Sequence, residues 1–219
     1  MRFVTWNCNG GPVSKKLPAA NELQADILVI QECPEHGLWF GDSPKRGLSV
    51  VAAAGIELLP LTPPAVLPRY VVPIQVTAPE PFLLIAIWAM GDKGDKYVRG
   101  LVRALNLCSE LIAAQSTVIL GDYNSNTFWD RKYPNDHNHS ALVRNLGEMG
   151  LTSAYHEHLG VAHGSEPDPT FYLYRHEHRP YHLDYCFVPK TWKIESATVG
   201  PYRDWRHLSD HMPLIVEAG

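Results

Sequence analysis

Short apolar runs rich in β-branched residues recur along this chain, and polar residues, glycine or proline separate them. Runs of roughly four to eight residues with such ends are typical of buried strands. Residues 2–6 and 25–30 are of this kind, and both lead directly into polar residues. The same pattern predicts further strands at residues 48–53, 71–76, 82–88, 117–120, 170–174, 183–188, 193–199 and 212–216.

Helical periodicity is confined to a few segments. Across residues 97–114, apolar side chains such as Leu101, Leu105 and Ile112 recur at helical spacing, which predicts one amphipathic helix. Residues 17–24 and 139–149 predict two shorter helices. Many strands with few helices favour an α/β fold in which two sheets pack face to face with helices outside. We find no internal repeat or flexible linker, so we expect a single domain over residues 1–219.

The composition is that of an ordinary globular protein, with 45% of the 219 residues apolar and 19% charged. A formal net charge of −4 argues against a protein whose whole surface binds nucleic acid. Cys8, Cys33, Cys108 and Cys186 lie far apart without a CxxC pair, so neither structural zinc nor a disulfide framework is expected. No apolar run has the length of a signal peptide or a membrane span, which favours a soluble, cytoplasmic protein.

Polar side chains stand where the predicted strands end. They are Asn7, Glu32, Asp122, Asn124, Asp184, Asp210 and His211. Sites are often built at such positions, because a rigid scaffold holds the side chains in place. Carboxylate and amide oxygens suit a hard cation such as Mg²⁺, whereas the chain has no HExxH motif for zinc.

A set of short motifs contains these residues in a fixed order along residues 1–216. The motifs are Thr5-Trp6-Asn7, Gln31-Glu32, Gly121-Asp122-Tyr123-Asn124-Ser125, His182-Leu183-Asp184-Tyr185 and Ser209-Asp210-His211-Met212-Pro213-Leu214. Together they resemble the motif set of the endonuclease/exonuclease/phosphatase superfamily, which includes exonuclease III, apurinic endonucleases and pancreatic-type deoxyribonucleases. The resemblance implies a four-layer α/β/β/α sandwich with two packed mixed β-sheets.

The resemblance also implies a role for each motif residue. Glu32, together with Asn7 and Asp210, would hold Mg²⁺, with Mn²⁺ as the alternative ion. Asp122 would orient and deprotonate the attacking water, and Asn124 would donate a hydrogen bond to a phosphate oxygen.

A histidine and its supporting carboxylate complete the implied catalytic set. His211 would contact the scissile phosphate, and Asp184 would accept a hydrogen bond from the other ring nitrogen. This pairing favours the imidazolium form, which suits an anionic transition state.

Substrate-binding residues are less clearly marked in the sequence. The superfamily usually has Tyr or His at the end of the strand over residues 82–88, where this chain has Trp88 with only an indole N–H to donate. Tyr97, in the adjacent loop, is a candidate substitute. His182 lies two residues from Asp184 on the same side of a predicted strand, which leaves open whether its ring lines the cleft; we assign it to substrate binding.

The chain is rich in histidine, with eleven in all. Several lie in polar segments close to Asp and Glu, where solvated loops are the favoured interpretation and a secondary Zn²⁺ or Mn²⁺ site is the alternative. They are His137, His139, His156, His158, His176 and His178.

The sequence favours a metal-dependent phosphodiester hydrolase, most simply a nuclease, with no obligate protein partner. Two alternatives stay open: the same centre acting on a small phosphoester such as a nucleotide, lipid headgroup or inositol phosphate, and a catalytically silent binding module. Basic residues fall in loops beside the motifs, where ordinary solvated side chains are the favoured interpretation and a modest basic rim for a polyphosphate substrate is the alternative. These residues are Lys15, Lys16, Lys45, Arg46, Lys93, Lys96, Arg131, Lys132, Arg203 and Arg206.

Overall fold

The computed structural model describes residues 1–63, 65–91 and 97–219. The strands are β1 (Arg2–Asn7), β2 (Ile27–Cys33), β3 (Leu38–Ser43), β4 (Arg46–Ala52), β5 (Glu57–Pro60), β6 (Val71–Ala78), β7 (Phe82–Trp88), β8 (Thr117–Asp122), β9 (Leu151–Ser153), β10 (Phe171–Tyr172), β11 (Pro180–Tyr181), β12 (Asp184–Pro189), β13 (Ile194–Val199) and β14 (Leu214–Ala218). The α-helices are α1 (Val13–Asn21), α2 (Val98–Leu107), α3 (Ser109–Ala114), α4 (His139–Glu148), α5 (Ala154–Leu159) and α6 (Tyr202–Trp205). Short 3-10 helices cover Thr127–Lys132 and Leu173–Arg175.

Two six-stranded sheets form the centre of the fold. The first has the strand order β13-β14-β1-β2-β4-β3, and the second has the order β5-β6-β7-β8-β12-β9. Each sheet contains one parallel pair, β1 with β2 and β7 with β8, among otherwise antiparallel neighbours. Strands β10 and β11 form a separate two-stranded ribbon. The predicted α/β sandwich with two mixed sheets is confirmed.

Alternation along β1 shows why its sequence reads as one continuous apolar run. Phe3 points into the core between the two sheets, whereas Val4 and Trp6 pack on the opposite face of the first sheet. There they meet Ala20 of α1 and Trp205 of α6. Because a strand covered on both sides is mostly apolar, the run lacks the polar alternation of a half-exposed strand, and even Thr5 in its middle is buried.

The second sheet is covered in the same way. Leu84 of β7 faces the core between the sheets, and its neighbour Leu83 faces outward. On that outer face Leu83 belongs to the same buried cluster as Leu101 of α2 and Leu142 of α4. The result is four layers, helix on sheet on sheet on helix.

Three predicted elements differ from the structure. The helix expected over residues 17–24 lies earlier in the chain, over Val13–Asn21. The single helix expected over residues 97–114 is divided at Cys108, whose φ of −90° and ψ of 3° end α2 before α3 begins. Asn106, Cys108 and Ser109 are weak helix formers, so intrinsic preference does not hold the helix together at this point. The strand expected over residues 170–174 is limited to Phe171–Tyr172, and a 3-10 turn replaces its remainder.

The helices among the described residues are short. The longest, α2 and α4, have ten residues each, and no described helix combines the length and apolar character needed to cross a bilayer.

Close packing of β7 against β8 gives a stability prediction at Gly121. A Cβ at this position would lie 2.0 Å from the carbonyl oxygen of Ile87, its partner in the ladder. We therefore expect Gly121→Ala to lower the free energy of unfolding by about 3 kcal/mol or more, because backbone must move to admit the methyl group.

The matched control is the same substitution within α4. At Gly147 the nearest atom to a new Cβ is Lys190 Nζ, 3.9 Å away, and the residue is inside a helix. Gly147→Ala should be neutral or stabilising by up to about 1 kcal/mol. Urea unfolding measures both effects, and equal midpoints for the two variants would contradict this account of the β7–β8 packing.

Candidate active site

The ends of several strands meet at one edge of the sandwich. The parallel strands β1 and β2 carry Asn7 and Glu32 to the same edge of the first sheet. In the second sheet, Asp122 at the end of β8 lies directly opposite Asp184 at the start of β12. The two sheets are joined here by a hydrogen bond, which Asn7 Nδ2 donates to Asp122 Oδ2 over 2.9 Å.

An irregularity in β2 sets the position of Glu32. The register with β4 shifts between Ile30 and Cys33, and Glu32 has a φ of +56°. Such bulges re-aim a side chain out of the ladder, and strained backbone of this kind clusters at functional sites. Glu32 Oε1 accepts a long hydrogen bond of 3.3 Å from Asn7 Nδ2, and its Oε2 lies 2.9 Å from Nη2 of Arg46.

Asp122 is fully buried and held by three hydrogen bonds. Its Oδ2 accepts from Asn7 and, over 3.0 Å, from Asn124 Nδ2, whereas within residues 1–63, 65–91 and 97–219 Oδ1 accepts only from the Asn124 backbone N–H, at 2.8 Å. Burial raises the pKa of this carboxyl to about 7, although the charge on His211 and the hydrogen bonds oppose the shift. A carboxyl in this range can exchange a proton near neutral pH.

The side chain of Asn124 is directed into the protein. One amide hydrogen is donated to Asp122, and the other goes to the carbonyl oxygen of Ala89 at 3.0 Å. Both donors are therefore used within the chain, which differs from the predicted donation to a phosphate oxygen. In this arrangement Asn124 orients Asp122.

The predicted hydrogen bond between His211 and Asp184 is present. His211 Nδ1 lies 2.9 Å from Asp184 Oδ2, and both side chains are buried. Burial opposes charging of the ring, but the carboxylates Asp184 and Asp122 outweigh it and raise the pKa of His211 to about 9. The ring therefore carries a proton on both nitrogens at neutral pH, and Nε2 is the nitrogen left for a ligand.

Contacts from Ser209 and Phe171 also hold His211 in place. Ser209 Oγ accepts from the His211 N–H at 3.0 Å and donates to the carbonyl oxygen of Asn7 at 2.7 Å. The ring of Phe171 packs against the imidazole with a centroid distance of 4.7 Å. These contacts connect the segment before β14 to both the first sheet and the β10 segment.

The acidic residues offer two places where a cation could bind. Asp122, Asp184 and His211 each present one ligand atom within 4.8 Å of the others, although this group is buried and internally hydrogen-bonded. Glu32 lies at the more open side of the same edge, with 19% of its side chain exposed. Asp210 is half-buried there, and no hydrogen bond connects its carboxylate to Asn7 or Glu32 in the described structure.

The predicted substrate-binding residues have different surroundings. Tyr97 is 39% exposed and lines a cavity of about 270 Å³ together with Asn124 and Trp129. Trp88 is only 2% exposed, because it stacks on Tyr70. The guanidinium of Arg46 lies 5.0 Å from the Trp88 ring, so Trp88 supports Arg46 and has little surface for phosphate.

His182 lies away from the Asp184–His211 pair. Its ring is buried against Tyr155 and His156, and its Nδ1 donates to the carbonyl oxygen of Asp168 at 2.8 Å. The structure therefore corrects the expectation that His182 faces the catalytic cleft. The strand β12 begins only at Asp184, so alternation along a strand does not apply to position 182.

Three residues at the site were not singled out from the sequence. Arg46 was noted only within the basic rim, yet it pairs with Glu32. Thr170 Oγ1 accepts from the backbone N–H groups of Leu183 and Asp184, and Phe171 covers His211. Thr170 and Phe171 belong to the strand predicted over residues 170–174, but that pattern carries no signal for their contacts with Leu183, Asp184 and His211. Two rim residues, Lys93 and Lys96, lie outside the described residues.

Comparison with protein-family models identifies the family of this chain. The model of the Endonuclease/Exonuclease/phosphatase family matches residues 4–211. The chain belongs to this family. Because endonucleases, exonucleases and phosphatases all hydrolyse phosphoesters, this family member is a phosphoester hydrolase.

Solved structures share the fold over the full length of this family member. A 3′ phosphatase (NExo) from Neisseria bound to product DNA hairpin has a TM-score of 0.74 and 19% identity, covering 100% of this chain and 99% of that one. A 3′-5′ exonuclease (NExo) from Neisseria meningitidis has a TM-score of 0.70 at 20% identity, covering 99% of both chains. An AP endonuclease from Archaeoglobus fulgidus has a TM-score of 0.70 at 15% identity, covering 99% and 98%. No relative is found among curated protein sequences.

Proposed function

We propose that this family member is a Mg²⁺-dependent phosphodiester hydrolase that cleaves nucleic acid. The observation that carries the proposal is the cross-sheet hydrogen bond from Asn7 to Asp122, next to the Asp184–His211 pair. This places a buried carboxylate with a raised pKa beside a charged imidazole, which is the chemistry that a water attack on phosphate requires. The neighbours described as an exonuclease and an AP endonuclease support a nucleic-acid substrate.

The donor set fits a hard divalent cation. Glu32 and Asp210 offer carboxylates, and Asn7 offers an amide oxygen that accepts one hydrogen bond, from the N–H of Asn9. Among the described residues, Glu32 Oε1 accepts a hydrogen bond only from Asn7, and this long bond leaves the oxygen capacity for a ligand. All-oxygen donors suit Mg²⁺, with Mn²⁺ second. When bound, the cation would neutralise charge on the phosphate and on the leaving oxygen.

Asp122 is assigned to hold and deprotonate the attacking water. Its Oδ1 accepts a single hydrogen bond and has lone-pair capacity left, whereas Oδ2 is already shared by Asn7 and Asn124. Asn7 and Asn124 act as positioning residues, because they fix the carboxylate that receives the proton.

His211 is assigned to the scissile phosphate. With Nδ1 bound to Asp184, the ring presents Nε2–H as a charged donor. Asp184 keeps the ring oriented and favours its protonated form. Tyr97, which lines the cavity beside Asn124, is assigned to bind the part of the substrate that extends away from the catalytic edge. Arg46, beside Glu32, is assigned to contact a phosphate group.

A smaller phosphoester is the second candidate substrate. The net charge of −4 and the cavity of about 270 Å³ beside Asn124 favour it, and one neighbour is described as a 3′ phosphatase.

The proposed location, the cytoplasm, rests on the sequence alone.

A substrate and salt series separates the two candidates. We expect Mg²⁺-supported cleavage of DNA or RNA that stops with EDTA and returns when Mg²⁺ is added in excess. At subsaturating substrate the rate should fall at least about tenfold between 50 and 200 mM salt, because Lys and Arg contacts release counterions.

A chromogenic phosphodiester is the control substrate, since its hydrolysis should vary little with salt. Hydrolysis of small esters without cleavage of plasmid, single-stranded DNA, abasic duplex or RNA would favour the second candidate. Cleavage that continues unchanged in EDTA would contradict the metal dependence for either substrate.

A further inference from the structure

A cluster of histidines surrounds one carboxylate on the far side of β12 from the catalytic pair. We call His139, His156, His163, His182 and Glu166 the histidine cluster. His156 lies on α5, and His163 and Glu166 lie on the segment that connects α5 to β10. His139 and His156 are buried, which corrects the expectation that they lie in solvated loops.

Three members of the histidine cluster have their ligand atoms close together. One atom each from His156, His163 and Glu166 lies within 4.8 Å of the others. His156 Nε2 is 3.0 Å from Glu166 Oε1. Ligand atoms on a tetrahedral Zn²⁺ with bonds of roughly 2.0–2.1 Å lie about 3.3 Å apart, so this pair needs to open by only a few tenths of an ångström.

The opposite nitrogens of these imidazoles are already bound within the protein. His156 Nδ1 lies 2.8 Å from Ser153 Oγ, and His163 Nδ1 lies 3.2 Å from His139 Nε2. For His156 this is the arrangement that metal-binding histidines usually show, in which a hydrogen bond to one nitrogen directs the other toward the ion. The contact from His163 to His139 must change when the His163 ring turns.

His182 contributes an independent observation. Because its Nδ1 donates to the carbonyl oxygen of Asp168, Nε2 carries a lone pair, and this buried atom has no hydrogen-bond partner among the residues that the structure describes. Burying such a group unsatisfied is unfavourable. His182 and Glu166 line the same cavity, of about 460 Å³, so both residues border the space beside the three ligand atoms.

One rearrangement is required. The rings of His156 and His163 stack with centroids 3.5 Å apart and planes inclined by 13°, so both cannot point at one ion as they stand. His163 is only half-buried and borders a cavity of about 260 Å³, which gives its ring room to turn.

We propose that His156, His163 and Glu166 bind a Zn²⁺ ion, with water as the fourth ligand and His182 Nε2 as the acceptor of a hydrogen bond from that water. Two imidazoles with one carboxylate favour zinc over Mg²⁺, which prefers oxygen ligands. The ion would attach the α5–β10 segment to α5. That segment ends at Thr170 and Phe171, which contact the backbone of Asp184 and the ring of His211. The ion would thus act as a structural support, independent of the proposed reaction.

The test adds Zn²⁺ to the metal-free full chain and follows binding by calorimetry and thermal unfolding. With free Zn²⁺ at a hundred times Kd, Tm should rise by roughly 5–10 °C. The variants His163→Ala and Glu166→Gln should lose this rise, and Glu166→Gln keeps the size of the side chain if the alanine variant fails to fold. Co²⁺ in place of Zn²⁺ should give the visible absorption of a low-coordinate site only where the cluster is intact.

Two further variants assign the ion to this cluster. His158→Ala changes an exposed histidine of the same helix and should bind Zn²⁺ as the parent chain does. Glu32→Gln alters the catalytic edge and should also keep the Tm rise. A Tm rise that survives in Glu166→Gln, or the absence of saturable Zn²⁺ binding to the parent chain, would show that the cluster is only a hydrogen-bonded packing network.

Discussion

Replacing Asp122 with Asn should lower kcat for phosphodiester hydrolysis by about 10³–10⁴-fold at saturating Mg²⁺, because the variant has no group to take the proton of the attacking water. The amide must also turn its NH2 group toward either the Asn124 N–H or the two Nδ2 donors. Initial rates on a labelled oligonucleotide, with KM measured separately, test the prediction.

The control for this variant is Asp136→Asn, which changes an exposed carboxylate in a loop. It should leave kcat within about twofold of the parent, as expected for a surface change away from the site. Thermal unfolding of both proteins shows whether Asp122→Asn remains folded at the assay temperature. A folded Asp122→Asn protein that retains more than a tenth of the parent kcat would contradict the assignment of Asp122 as the base.

Replacing His211 with Ala should lower kcat by about 10²–10³-fold, because the substrate phosphate loses a charged donor held in a buried setting. Asp184→Asn should give a smaller loss of about tenfold or more, since it acts through the orientation and charge of the same ring. In the double variant, which combines His211→Ala with Asp184→Asn, kcat should be less than about twofold lower than in His211→Ala alone. The effects of residues that act as a unit are not additive.

Comparing the two single variants with the double variant shows whether Asp184 acts by positioning His211 or acts independently of it. Asp184 Oδ1 has no hydrogen-bond partner in the described part of the chain, so Asp184 could in principle bind a cation by itself. Losses that multiply in the double variant would show that Asp184 acts apart from His211. Such a result would move Asp184 from the positioning residues to the cation site.

The sequence predicts which strand ends meet at this edge for a physical reason. Apolar runs locate β1, β2, β8 and β12, and the polar residue after each run is carried by a rigid strand. Because parallel neighbours end at the same edge, Asn7 and Glu32 come together without any knowledge of loops. The pairing of Asp122 with Asp184 then follows from the antiparallel ladder between β8 and β12.

Other features depend on contacts that local sequence does not encode. The direction of the Asn124 amide is set by Ala89, which is distant in the chain, and the position of Glu32 depends on a bulge. The histidine cluster forms because residues 160–170 fold back over α5 and β12. That segment has neither strand nor helix periodicity, so its one histidine, His163, resembles a histidine of any polar loop.

The most direct test of the central claim is a crystal structure of the chain with Mn²⁺ and a DNA oligonucleotide. The account predicts an anomalous peak at the Glu32 carboxylate and a backbone phosphate within hydrogen-bond distance of His211 Nε2. A separate peak at the histidine cluster is compatible with this result. A phosphate bound elsewhere, or a metal found only away from Glu32, would contradict the claim that these strand ends form the catalytic centre.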